Sequence, residues 1–241
     1  MLNKCLGIAG LFLMSFSLYG QHDSTSINTT VLTNDSELEE TKSTLYFSGQ
    51  VFNAHRTFSD LSNNMRYDSA LTQQPTITGG FETGVHMTLS NHFYLGVGAN
   101  YFGGGESWTY SDSLSDSTYS YVNKFRQIAV PIRLNFHFGN AFKGYGFVGA
   151  IPSSILTRRF ESSFTNAGGV ETENDIVSSE ENINSFQFIG SVGAGFSYSF
   201  EDVGFFAQLE YRHYFTNTYT GLFLTHNQTL LGGSVGLTYS F

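Results

Sequence analysis

Six ionisable side chains hold most of the chemistry this sequence can offer: Glu82, His86, Arg133, His137, Glu210 and Arg212. Each falls on the polar side of a segment in which apolar and polar residues alternate, so in an extended chain the six share one kind of face. An isolated buried charge is costly, so carboxylates and guanidinium groups on such a face must pair. Tightly paired, Glu82 and Glu210 against Arg133 and Arg212 form a packed polar plug. Loosely paired, the same groups with the two imidazoles form an ion pathway or a switchable gate.

Catalytic constellations are sparse. Of the seven histidines, His22 lies in a polar N-terminal stretch and His92 in a turn, while His55, His213 and His226 approach the long-loop ends of their segments. Asp60 and several serines are near His55 in sequence, but a nucleophile–base geometry cannot be read from that. No G-x-S-x-G, H-E-x-x-H or phosphate-cradling glycine motif occurs in a supporting context. The segment 160–183 carries Glu161, Glu171, Glu173, Asp175, Glu180 and Glu181 without a Lys or Arg. Its spacing does not match a calcium loop, and it reads as a solvated acidic loop. Eleven basic against twenty acidic residues give a net charge of −9, which excludes a nucleic-acid partner. The expectation is no enzyme, no cofactor and no metal.

The start of the chain indicates a compartment. Lys4, an apolar run from Leu6 to Leu18 and a small residue at Gly20 read as a signal peptide (1–20) cleaved before Gln21. Cys5, the only cysteine, lies inside it, so the mature chain has neither a disulfide nor a thiolate. Residues 21–43, polar and acidic without an apolar period, read as a disordered periplasmic tail.

From Thr44 onward eight alternating stretches follow, at about 44–55, 77–89, 93–109, 120–138, 142–159, 184–200, 203–215 and 227–241. The fourth sets Ile128, Val130, Ile132, Leu134, Phe136 and Phe138 against Gln127, Ala129, Pro131, Arg133, Asn135 and His137. The fifth, around Tyr145 and Phe147, does not reveal its faces. Past the signal there is no apolar run of about 18 residues for a membrane helix. Aromatic content is nonetheless 16% and charge only 13%, which suits strands that each show half their residues to lipid. Three connections are tight (Ser90–His92, Gly139–Ala141, Glu201–Asp202), alternating with four long ones at about 56–76, 110–119, 160–183 and 216–226. Short turns on one rim and long loops on the other are the bacterial outer-membrane barrel pattern. The expected fold is all-β: a single eight-stranded antiparallel transmembrane β-barrel over 44–241, an up-and-down meander with periplasmic turns and extracellular loops. A secreted β-sandwich, or ten strands with a hairpin hidden in 160–183, are the alternatives. Tyr46, Tyr94, Trp108, Tyr110, Tyr119, Tyr121, Tyr198, Tyr214 and Tyr239 suit interfacial girdles.

The stretch Phe125-Arg126-Gln127-Ile128-Ala129-Val130-Pro131-Ile132 resembles the aromatic-x-x-ϕ-x-ϕ-Pro-ϕ strand of the PorT-like outer-membrane β-barrel family. The closing Gly-Gly-Ser-x-Gly-Leu-x-Tyr-x-Phe resembles the assembly signal of that family and of small OmpA- and OmpX-like barrels. The resemblance implies that Ser234, Gly236, Tyr239 and Phe241 are read by the barrel-assembly machinery by strand addition. It fixes fold and membrane but no single role: some members assist protein export, others look structural or adhesive. The expected protein is thus a non-enzymatic, monomeric integral barrel of the outer membrane. Its partners would be membrane lipid and lipopolysaccharide, with secretion-system or surface proteins as further possibilities. A narrow pore for ions or small solutes is the alternative, and an enzyme with a rim active site a distant third.

Overall fold

The computed structural model describes residues 43–60, 71–112, 116–140, 142–166, 168–177, 184–218 and 224–241. The expected signal peptide and residues 21–42 of the expected tail lie outside the described residues. Alternation drives the chain into extended structure: β1 (Thr44–Asp60), β2 (Leu71–Gln74), β3 (Thr76–Thr88), β4 (Phe93–Asp112), β5 (Ser117–Ala129), β6 (Ile132–Gly139), β7 (Phe142–Asn166), β8 (Gly169–Val177), β9 (Phe186–Phe200), β10 (Val203–Tyr214) and β11 (Leu224–Ser240). All pair antiparallel in one sheet.

The sheet closes on itself. β1 pairs with β11 from Thr44↔Ser240 to Asp60↔Leu224, and with β3 on its other edge. Three of the eleven strands continue a neighbouring stave instead of adding one. β2 lies just before β3 against β4, and β8 before β9 against β7. β5 and β6 are separated only by Val130 and Pro131, and they keep the same register on β4 (Asn100↔Ala129, then Val97↔Ile132). Proline has no N–H to give the ladder, which interrupts the strand without bending its course. Eleven strands less three continuations leave eight staves, the expected number.

The hairpin in 160–183 exists but makes no ten-stranded barrel. β7 runs for 25 residues, well beyond the 9–11 or so that cross a bilayer at a tilt. β8 folds back along Arg158–Asn166, above the part of β7 that β9 covers. The wall is extended upward where the sequence reads as an irregular acidic loop. β4, at 20 residues, rises in the same way.

The tight turns lie where expected. Leu89 N–H donates to Phe93 O at 2.9 Å across the first. Gly139 takes φ +99° in the second, and Glu201 takes φ 54° in the third. Outward residues form an apolar belt: Ile128, Ile132, Phe136, Val192, Phe196, Phe205, Leu209, Leu231, Val235 and Leu237 are all exposed. Inward residues fill the bore. In β7 the open question resolves with Tyr145, Phe147 and Ile151 inside and Val148 outside.

Candidate functional site

The bore is packed in layers, and its central layer is charged. Glu82, on β3, faces Arg133, on β6, and the two are joined by a salt bridge from Arg133 Nη1 to Glu82 Oε1 and a second contact from Nη2 to Oε2 at 3.0 Å. From β10, Glu210 Oε1 accepts from Arg133 Nη2 at 3.1 Å, and its Oε2 accepts from Arg212 Nη2 at 2.9 Å. Arg212 Nη2 also lies 3.7 Å from Glu82 Oε2. None of the four side chains is more than 6% exposed. Two acids and two bases cancel, so the layer is neutral: Arg133 grips Glu82 with a bidentate fork, and Glu210 takes one guanidinium nitrogen from each arginine.

Neutral neighbours complete it. Tyr46 Oη donates to Glu82 Oε1 at 2.7 Å, Gln50 Nε2 donates to Glu82 Oε2 at 2.8 Å, and Asn100 Nδ2 reaches the same oxygen at 2.6 Å. Sequence reasoning missed all three. Tyr46, near a strand end, reads as a girdle residue, and the inward parity it shares with Ser48, Gln50 and Phe52 on β1 carries the missing signal. Room for the Tyr46 hydroxyl comes from Gly84 and Gly98, paired across β3 and β4. A Cβ on either would come within 2.7 Å of that oxygen.

An apolar septum lies against the charged layer. Phe52, Ala54, Phe102, Ala129, Ile151, Ile189, Tyr214 and Leu230 form one buried cluster across the bore. Phe52, Phe102, Ile151, Ile189 and Leu230 are at most 1% exposed. Arg212 joins the two layers, its guanidinium carbon 4.3 Å from the Phe52 ring centre and 4.9 Å from that of Phe102. Farther on, Gln127, Gln187 and Gln228 are buried in turn, with Gln127 Nε2 donating to Tyr214 Oη at 2.8 Å. The septum was hidden in the sequence because its members are apolar residues on the face that otherwise reads as polar.

His86 and His137 stand apart from the four charges, nearer the short-turn rim. His86 stacks on Tyr46 with ring centroids 4.6 Å apart. His137 lies between Tyr94 and Tyr145, at 4.4 and 5.0 Å. With Lys143 they line a small cavity of about 100 Å³ at that mouth. Aromatic packing, not ion pairing, positions both imidazoles.

The expected girdle divides. Tyr198 and Tyr239 are exposed, but Tyr46, Trp108 and Tyr214 are 4%, 9% and 2% exposed and point inward. Strand parity, not nearness to a strand end, decides which way a ring faces. The side chain of Tyr110 lies outside the described residues. Of the expected assembly signal, Ser234 is buried in the bore and Gly236 abuts Phe206, while Tyr239 and Phe241 are exposed on the wall. Phe241 N–H donates to Ser43 O at 3.0 Å, and Ser240 N–H to Asp202 O at 2.7 Å. Among the described residues no three His, Cys, Asp or Glu side chains converge to hold a metal.

The family model that describes an outer membrane protein beta-barrel domain matches residues 51–220. No curated protein sequence matches the chain. Among solved structures the chain is similar to the outer membrane protein OprG of Pseudomonas aeruginosa, at 12% identity and a TM-score of 0.51, over 83% of this chain and 96% of that one. Neisserial surface protein A aligns at 14% identity and a TM-score of 0.39 over 82% and 97% of the two chains. Ail, the attachment invasion locus protein of Yersinia pestis, aligns at 14% identity and 0.33 over 82% and 99%.

Proposed function

The chain belongs to the outer membrane protein beta-barrel domain family, and on that premise we propose that it is a closed, non-conducting anchor that works through its long-loop rim. It is an outer-membrane barrel, and its apolar belt is the surface that hydrocarbon covers. In such barrels the short turns face the periplasm and the long connections the exterior. The β-extended ends of β4, β5, β7 and β8 then stand outside the cell as a surface for structural, adhesive or secretion-accessory contacts. The PorT-like resemblance is compatible with each of the three and selects none. Cleavage of residues 1–20 and recognition of Ser234, Gly236, Tyr239 and Phe241 by the assembly machinery belong to the same proposal, as do a monomeric state and the absence of enzymatic activity.

One observation carries this reading: the bore is filled twice over, by a neutral ion-paired layer and by an apolar septum. A pore needs continuous water, and an eight-stranded barrel is only wide enough for side chains to fill. A conducting state would have to break the ion pairs and move Phe52 and Phe102 together. The test is planar-bilayer recording of the purified full chain. The expected result is a baseline with rare, brief openings; steady ohmic conductance in the unmodified protein would overturn the proposal.

A further inference from the structure

The outer wall carries a cationic site just beyond the apolar belt. Of the eleven Lys and Arg residues in this acidic chain, Lys124, Arg126, Arg158 and Arg159 sit on the adjacent strands β5 and β7. Arg158 turns inward, its Nε donating to Asn123 Oδ1 at 2.8 Å. Lys124, Arg126 and Arg159 are exposed. Lys124 is directly opposite Arg159, and Arg126 is opposite the exposed Thr157. Directly opposed residues have Cβ atoms about 4.5–5.5 Å apart, and like charges so placed destabilise the sheet unless an anion lies between them.

Among the described residues little supplies that anion. Glu161 Oε1 takes Arg159 Nε at 2.6 Å. Among the described residues Arg126 Nη1 reaches only the Gly79 carbonyl, at 3.3 Å. Lys124 has no counter-ion among the described residues.

Position identifies the missing partner. The outward row of β6 and β5 reads Phe138, Phe136, Leu134, Ile132, Val130, Ile128, then Arg126 and Lys124. Successive outward residues are about 7 Å apart along a strand, so the charges follow immediately where the hydrocarbon-facing residues stop. On β7, Leu156, 41% exposed at the register shift between β5 and β7, precedes Thr157 and Arg159. That level, on the long-loop rim, is the headgroup layer of the outer leaflet. We propose that Lys124, Arg126, Thr157 and Arg159 form a binding site for a phosphorylated glycolipid headgroup of that leaflet. Two phosphate oxygens would bridge Lys124 and Arg159, with Arg126 and the Thr157 hydroxyl completing the cradle. The proposal rests on the orientation given above, with the long loops outside.

The test uses the full chain in nanodiscs, with bis-phosphorylated lipid A as probe and its dephosphorylated form as control. The triple variant K124Q/R126Q/R159Q should bind the phosphorylated form at least about tenfold more weakly than the unmodified protein, since each basic group near an anionic surface adds comparable affinity. Both proteins should bind the dephosphorylated form alike. Heat-modifiable migration on gels establishes that the variant barrel is folded. Equal binding of lipid A by folded variant and parent overturns the site. A T157C variant treated on whole cells with a membrane-impermeant maleimide checks orientation separately. Labelling supports the long-loop rim being outside, and failure to label overturns that reading and the site with it.

Discussion

Arg212 is fully buried and belongs to two layers at once: its Nη2 bonds Glu210 at 2.9 Å while its guanidinium carbon lies 4.3 Å from the centre of the Phe52 ring. Its Nε and Nη1 make no hydrogen bond among the described residues, and the ring faces of Phe52 and Phe102 take their place. A desolvated guanidinium gains from such faces as well as from its carboxylate. Charged plug and apolar septum are therefore coupled, and disturbing one must be felt by the other.

Glu82→Ala removes one of the charged layer's two carboxylates and leaves two guanidinium groups sharing Glu210. Breaking a buried pair in this way costs about 3–5 kcal/mol. Equilibrium urea unfolding in detergent micelles should show a loss of that order. A change below about 1 kcal/mol would mean that water already solvates the layer.

Truncating the septum should open the bore. Phe52→Ala with Phe102→Ala removes the two rings that the Arg212 guanidinium lies over, at about 3–5 kcal/mol for each Phe. Where the double variant still inserts, single-channel recording should show steady conductance that the parent lacks. A silent double variant would locate the barrier in the ion pairs alone.

Gly98 has no space for a methyl group. A Cβ there would meet Tyr46 Oη and the Thr83 carbonyl oxygen, each at 2.6 Å. Gly98→Ala should cost about 1–3 kcal/mol, the usual range for overpacking. Adding Tyr46→Phe should recover part of that loss, and thermal midpoints of the four proteins in the double-mutant cycle measure the coupling.

Two other glycines should behave oppositely. Gly139 holds φ +99° in a tight turn, so Gly139→Ala should destabilise by about 1–2 kcal/mol. A Cβ on Gly49 would meet nothing within 4 Å, so Gly49→Ala should leave stability unchanged or raise it by up to about 1 kcal/mol. Unfolding of the two variants side by side decides the matter.

Much of the architecture was legible because the two faces of a stave meet different surroundings. Ile128 to Phe138 and Val192 to Phe200 show lipid one side and the bore the other, and their faces follow from alternation alone. The four central charges could be grouped because each is polar at an inward position of such a strand. Parity failed where the bore itself is apolar. Tyr145, Phe147 and Ile151 read as lipid-facing as easily as inward, and Phe52 and Phe102 gave no sign of a septum. The upward wall at Gly169–Val177 is not legible, because its polar composition matches a solvated loop. Pro131 hid a break that no change of register marks. Tyr46 is ambiguous in the sequence because an aromatic near a strand end suits a headgroup or a buried carboxylate equally well.

The chain contains one tryptophan, and it lies on β4 opposite Tyr121 of β5, above the septum and turned away from the belt. Tryptophan emission during refolding, excited selectively, will therefore be blind to the moment the cylinder enters its solvent of acyl chains. It will instead time the ordering of the exterior cap, so a fluorescence trace and a gel-mobility trace of the same reaction should run on different clocks.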